Sequence, residues 1–224
     1  MNFLPWKISE KRCLAFTVPE LLLAGTVMAL LLVLGFAASF KVREQASIAG
    51  CLAKLRVFGL AFQQYANDHQ GYLSAGPQTG WEVRLSDYLP DPFTELSKLP
   101  PAARRRTVFI CPAETDLTSS RTYAINFEFR RDLFGEAALI RQTEIQFPGQ
   151  YCLLSDGYAY GYINTYSTKK LLEMSQLTRR HNGTPNFLYA DGHAAPFKEA
   201  IKGTSDSNGD PFYKRLWNAR YHGN

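Results

Sequence analysis

The residues through which this chain could do chemistry are sparse: four His and four Cys among 224 residues. His181 stands nine intervening residues before Asp191-Gly192, and His193 follows two positions after Asp191. On a regular strand Asp191 and His193 would share one face. With His181 they would make a His, Asp, His set suited to zinc or iron. The reading we prefer is structural: Asp191 makes a turn, and His181 hydrogen-bonds the hairpin backbone and fixes a landmark of the fold. A second candidate is Asp206-Ser207-Asn208-Gly209-Asp210, where Asp206, Asn208 and Asp210 place side-chain oxygens at alternate positions beside a turn glycine. Hard-cation loops use this pattern, so Ca²⁺ is the cofactor this string raises. The run lacks the downstream bidentate Glu of an EF-hand, and a solvated polar turn is the commoner origin of such a string. No Gly-rich phosphate loop, nucleophile motif or HExxH string is present, so neither enzymatic activity nor a small-molecule substrate is expected.

Glu20 is the most exacting of the ionisable residues, because of what surrounds it. Between Leu21 and Phe40 there is no Asp, Glu, Lys or Arg, and 16 of those 20 residues are apolar. At about 1.5 Å per residue the window is roughly 30 Å long, the thickness of a bilayer's hydrocarbon core. A freely soluble cytosolic protein is thereby disfavoured. Lys7, Lys11 and Arg12, against Glu10, precede the window. That bias keeps the N-terminus cytoplasmic and sends the remainder across the membrane. The apolar run is too long for a secretory signal peptide and continues into a second helical pattern. An ionised carboxylate inside such an apolar stretch costs a few kcal/mol on insertion scales. Glu20 therefore either snorkels to the interface or meets a counter-charge.

The elements that must position these residues follow from periodicity. Ile48, Leu52, Leu55, Gly59, Phe62 and Ala66 recur at helical spacing, with Lys54, Arg56 and Asp68 mostly off the stripe. One helix of about 50 residues is predicted, stopping near Gly71, its second half packed on a globular head. The head reads as short strands and turns. Val108–Cys111, Tyr123–Phe127 and Tyr151–Leu154 are candidate strands, and Asp191-Gly192 between apolar runs predicts a tight hairpin over 186–197. Trp81–Leu89 and Lys169–Met174 read as short helices, and Asp91–Arg106 as an exposed loop.

The string Ala15-Phe16-Thr17-Val18-Pro19-Glu20-Leu21-Leu22-Leu23 resembles the processing site of type IV prepilins and type II secretion pseudopilins. The resemblance implies cleavage by a prepilin peptidase between Ala15 and Phe16, N-methylation of Phe16, and a mature chain in which Glu20 meets the terminal amine of a neighbouring subunit. Two departures are visible: Ala15 replaces the usual Gly, and Pro19 replaces an aliphatic residue, which the first helical turn tolerates. Further along, Cys51-Leu-Ala-Lys-Leu-Arg-Val-Phe-Gly-Leu-Ala with Tyr65-Ala66-Asn67-Asp68, then Phe109-Ile110-Cys111-Pro112 and Tyr123-Ala124-Ile125-Asn126, look like the helix and middle landmarks of a pseudopilin-like family. His181 with Asp191-Gly192 matches the H-x9-DG motif that names its C-terminal region.

The resemblance implies an α+β, pilin-like fold: a leader over 1–15, a methylation and transmembrane segment with the long helix over 16–70, and a β-rich head over 71–224. It implies a structural subunit of a secretion or pilus-like filament, single-pass in a bacterial inner membrane, its head periplasmic and its partners the peptidase and other subunits or its own copies. A C-terminal calcium loop is common among major pseudopilins, which is the analogy for Asp206, Asn208 and Asp210. The alternative class is a membrane-anchored binding module or hydrolase recognising glycan or metal. Cys13 would leave with the leader, so the processed chain keeps Cys51, Cys111 and Cys152. Outside the cytoplasm a disulfide is permitted. Cys51 with Cys111 is the first choice, Cys111 with Cys152 the second, and three free buried thiols the third. The net charge of +5 falls to +3 without the leader, and Arg104–Arg106, Arg130–Arg131 and Arg179–Arg180 are separated clusters. Separated clusters read as solvated surface and argue against nucleic acid as a partner.

Overall fold

The computed structural model describes residues 17–73, 80–115, 122–126, 140–157, 162–163, 180–199 and 210–217. Ala15, Phe16, Asp206, Asn208 and the segment Lys169–Met174 lie outside the described residues. The protein is α+β, with one long N-terminal helix and a small sheet. It divides into two compact units, Met1–Arg43 and Glu44–Asn224.

Helix α1 runs Val18–Asp68, 51 residues without interruption. Pro19 sits in its first turn, where the missing N–H leaves no intrahelical bond unmade. Leu21 N donates to Thr17 O at 3.1 Å, closing the first helical bond. The helix ends by a left-handed cap. Gln70 takes φ 56° and Gly71 φ 83°, and Gly71 N donates back to Ala66 O at 2.7 Å. The predicted stop is thus in place, with Gln70 rather than Gly71 the first residue to take a left-handed φ.

In the second unit, the buried stripe of α1 is broader than the six-residue spacing predicts. Cys51, Leu55, Phe58, Ala61, Phe62, Tyr65 and Ala66 are all buried, while Ile48 and Leu52 are only half-buried. The aromatic members explain the shift. Phe58 packs edge-on against Trp81 and Tyr123, each at 5.3 Å between ring centroids, and against Phe109 at 5.6 Å.

Five strands form the sheet: β1 Ala124–Asn126, β2 Cys152–Ser155, β3 Tyr162–Ile163, β4 Asn186–Tyr189 and β5 Ala194–Pro196, in the order β3-β1-β2-β4-β5. Four pair antiparallel, and β3 joins the edge parallel to β1. Alternation along the strands divides the core. Ile125, Leu154 and Leu188 join the cluster that contains the second half of α1. Ala124, Cys152 and Phe187 face the other way, toward Leu216 and Trp217 of α4, Pro211–Trp217. Both faces are covered, which is why β1 and β2 are buried along their whole length.

Two predicted elements differ. Val108–Cys111 is a chain of turns, not a strand. Its backbone groups are claimed by side chains: Lys54 Nζ donates to Thr107 O and Ile110 O, both at 2.7 Å, and Cys111 N donates to Thr122 Oγ1. The predicted loop over Asp91–Arg106 contains a 3₁₀ segment, Phe93–Lys98, and a helical turn, α3, Pro101–Arg104, opened by Pro101. Trp81–Leu89 is helical as predicted, in two pieces: α2, Trp81–Arg84, and a 3₁₀ turn Ser86–Tyr88.

Candidate functional site

The described part of the molecule brings together one set of metal-ligating side chains, and it is not the set the spacing of the C-terminal motif points to. Cys51, Cys111, Asp156 and His181 are all buried, and their ligand atoms lie within 4.8 Å of one another. His181 Nε2 is 3.1 Å from Asp156 Oδ2 and 3.2 Å from Cys111 Sγ. Cys51 Sγ is 3.5 Å from the same Asp156 oxygen.

Each member arrives on a different element. Cys51 is a buried residue of α1. Cys111 ends the turn segment that Lys54, one helical turn further along α1, holds by its carbonyls. Burial lowers the Lys54 ammonium pKa, with the Cys111 and Cys51 sulfurs, when ionised, opposing that shift. Asp156 follows β2 directly, and both of its oxygens are fixed by one residue of β4. Asn186 N donates to Oδ1 at 2.6 Å, and Asn186 Nδ2 donates to Oδ2 at 3.0 Å. His181 lies just before β4, in a turn where His181, Asn182 and Gly183 take φ of 50°, 54° and 81°. Consecutive non-glycine residues in the left-handed region are uncommon, and such strain persists where the surroundings over-determine it. Here the neighbour is Arg180. Buried itself, it donates to Thr122 O at 2.9 Å and Gly157 O at 3.3 Å and pairs with the buried Glu114. Arg180 thereby ties the approaches to Cys111, Asp156 and His181 into one frame.

The electrostatics are those of four lone-pair-bearing atoms crowded into a dry space. Burial pushes the Cys51 thiol up, and its contacts with Cys111 and Asp156 push the same way. Its hydrogen bond to Cys111 pulls the latter down to about 6, against burial, with His181 assisting. For His181 burial favours the neutral ring, but Asp156 and Cys111 outweigh it and raise the pKa to about 9. Tyr123 adds a hydroxyl donor to Cys51 Sγ at 3.5 Å.

The H-x9-DG residues are therefore split between two places. Asp191 and His193 pair with each other at the hairpin, Nδ1 to Oδ1 at 2.6 Å, and both are exposed. His193 N also donates to Asp191 Oδ1, so the aspartate does make the turn. The hairpin loop has three residues, Ala190-Asp191-Gly192. Gly192 N donates to Tyr189 O, Tyr189 N donates to His193 O, and Gly192 alone in the loop takes positive φ, 91°. A Cβ at Gly192 would come within 2.7 Å of Gln63 Nε2. One at Gly59 would meet Leu188 Cδ1 at 3.0 Å and Gly192 O at 3.2 Å. Helix and hairpin touch through two glycines, so Gly192 serves packing as well as the turn. The ring of His181 does not serve the hairpin backbone. It turns to Asp156 and Cys111, and the His181, Asp191, His193 set is not assembled.

Cys51 and Cys111 are neighbours, but they and Cys152 are free buried thiols. Cys152 belongs to the opposite face of the sheet, in the cluster with Trp217. Asp210 of the calcium string accepts from Phe212 N at 2.9 Å and so caps the entry to α4. Asp156 is the residue that reading by motif missed. The available signal was Ser155-Asp156-Gly157 directly after an apolar strand, the position where a buried carboxylate is held by sheet neighbours.

At the other end of the chain, Thr17 N and Thr17 Oγ1 donate to Glu20 Oε2 at 2.8 and 2.7 Å. Thr17-Val18-Pro19-Glu20 is thus a T-x-x-E helix start in which the N3 glutamate reaches back to the cap residue. The same helix contains a window of mean hydropathy 2.5, long and apolar enough to cross a membrane. Comparisons of the chain with protein-family models, curated proteins and solved structures found no match.

Proposed function

We propose that the protein is a pseudopilin-like structural subunit: made with a leader, inserted through the apolar half of α1, cut by a prepilin peptidase between Ala15 and Phe16, and assembled through α1 into a secretion or pilus-like filament. The observation that carries this reading is the change of character along one unbroken helix. From Val18 to Val42 its large apolar side chains are exposed, and from Cys51 to Ala66 one apolar face, with Leu55, Phe58, Phe62 and Tyr65, is buried in the head while Leu60 stays exposed. A helix that only anchored a head would need the first half to be apolar. It would not need a processing string before it. In a filament, Glu20 neutralises the amine freed on Phe16 of a neighbouring subunit. A buried carboxylate and a buried ammonium each need a counter-charge, whose attraction offsets part of the desolvation cost. The leader charges Lys7, Lys11 and Arg12 keep the start of the chain cytoplasmic and send the head to the periplasm.

Glu20 has a helix-capping role as well as the proposed pairing role, and one substitution separates them. Glu20→Gln keeps an acceptor for Thr17 N, since Gln serves in a capping box as Glu does, but removes the charge. The expected result is a subunit that inserts and is processed yet fails to enter filaments. Mass spectrometry of the mature N-terminus should find a peptide beginning with N-methylated Phe16. An intact Met1 leader in the assembled protein would overturn the reading in favour of a membrane-anchored module. Normal filament incorporation of Glu20→Gln would overturn the pairing role alone.

A further inference from the structure

We propose that Cys51, Cys111, Asp156 and His181 are the four ligands of a structural Zn²⁺ site that clamps α1 to the head. The ligand types fit a borderline-soft dication: two sulfurs, an imidazole nitrogen and a carboxylate oxygen, where Ca²⁺ or Mg²⁺ would take oxygen alone. The geometry fits too. In a tetrahedron with bonds of about 2.0 Å to nitrogen or oxygen and about 2.3 Å to sulfur, ligand atoms lie roughly 3.3–3.8 Å apart. Three of the six separations in this cluster are 3.1, 3.2 and 3.5 Å, and no pair exceeds 4.8 Å. A small inward or outward adjustment of the side chains is all that coordination asks.

The surroundings resemble a supporting shell. Asn186 fixes the carboxylate through both oxygens, Thr122 receives the Cys111 N–H, and Tyr123 donates to Cys51 Sγ. Metal sites depend on such outer partners to hold first ligands in place. The left-handed backbone at His181 is the strain expected where a ring must be delivered to one point. Binding replaces whatever protons the two sulfurs and the imidazole still carry with the metal, so protons leave as zinc enters. Two thiolates and one carboxylate around a dication leave a single negative charge. Lys54, half-buried and in electrostatic reach of both cysteines, supplies a compensating cation. Four protein ligands, all buried, leave no open position for a substrate, which makes the site structural rather than catalytic.

The competing chemistry is the disulfide between Cys51 and Cys111, and it is mutually exclusive with zinc. The full-length chain, purified in detergent after growth with added zinc and with free thiols trapped at lysis, should carry about one zinc per chain by elemental analysis. Exchange with Co²⁺ should produce visible d–d bands of a tetrahedral ion and a near-ultraviolet sulfur-to-cobalt band. Cys111→Ser should lower zinc content at least tenfold, and Cys152→Ser should leave it unchanged. Because Cys111→Ser can also weaken folding, the cobalt spectrum of the unsubstituted chain is decisive. Absence of the sulfur-to-cobalt band, a Cys51–Cys111 disulfide in the trapped protein, or full zinc content in Cys111→Ser would each overturn the site.

Discussion

Between Leu21 and Leu34 the leucines of α1 are 59–69% exposed, whereas between Cys51 and Ala66 seven apolar residues are at most 7% exposed and, among the large apolar side chains, Leu60 at 62% is the exposed exception. The backbone is the same helix throughout, and both stretches are rich in apolar residues. What separates them is side-chain type and neighbourhood. The first stretch is almost all Leu, Val, Ala and Gly, apolar all round, with no polar face to turn toward water. The second carries aromatic residues on one side and Lys54, Arg56 and Gln64 on others. Its glycines differ in the same way: a Cβ on Gly25 or Gly35 would meet nothing within 4 Å, but one on Gly59 would meet Leu188 and Gly192. Uniform apolar surface suits lipid or copies of the same helix, while a graded stripe suits one particular head.

The sharpest way to break this contrast is to remove equal kinds of residue from the two stretches. Phe58→Ala should destabilise the head by about 3–5 kcal/mol, since it deletes a fully buried ring at the junction of Trp81, Phe109 and Tyr123. Leu31→Ala should leave head unfolding within about 0.5 kcal/mol of the parent, because it removes an exposed side chain. Denaturant unfolding of both full-length variants in detergent, followed by tryptophan fluorescence, provides the check. Equal losses in the two variants would mean that the apolar half is part of the head's own core.

A smaller effect tests the glycines. Gly59→Ala gains helix propensity of about 1 kcal/mol but forces a methyl against Leu188 and the Gly192 backbone, an overpacking cost of about 1–3 kcal/mol. A net loss of stability is expected, read as a lower melting temperature. Gly35→Ala should not lower it. A stabilised Gly59→Ala would show that helix and hairpin can separate slightly without cost, and that the close approach is incidental.

The sequence carried these two regimes unequally. The span, the helix length and the Asp191-Gly192 turn were legible because each is a local pattern: an uncharged window, a 3.6-residue period, a glycine needing positive φ. The Cys51, Cys111, Asp156, His181 cluster was not, since its members lie 70 and 105 residues apart along the chain and meet only through the sheet order. Read locally, Cys51 and Cys111 looked like a disulfide, His181 looked like a hairpin residue, and Asp156 carried no motif. Val108–Cys111 departs from its predicted strand for a related reason. Its branched and aromatic residues have strand propensity, but Lys54 and Thr122, distant in sequence, take its backbone groups. A tertiary contact overrode the local preference.

The mildest perturbation falls on the start of the helix. Thr17→Ala removes the hydroxyl that donates to Glu20 Oε2 while keeping the backbone N–H that does the same. Losing a cap side chain costs about 1 kcal/mol, so amides of the first turn, Leu21 first among them, should exchange with solvent roughly fivefold faster. Amides from Cys51 to Ala66 should exchange at their original rates, since their protection comes from packing in the head. Hydrogen-exchange mass spectrometry on the full chain distinguishes the two stretches directly. If protection falls along the whole helix together, α1 behaves as one cooperative unit, and the division into an exposed apolar half and a head-packed half describes composition without describing stability.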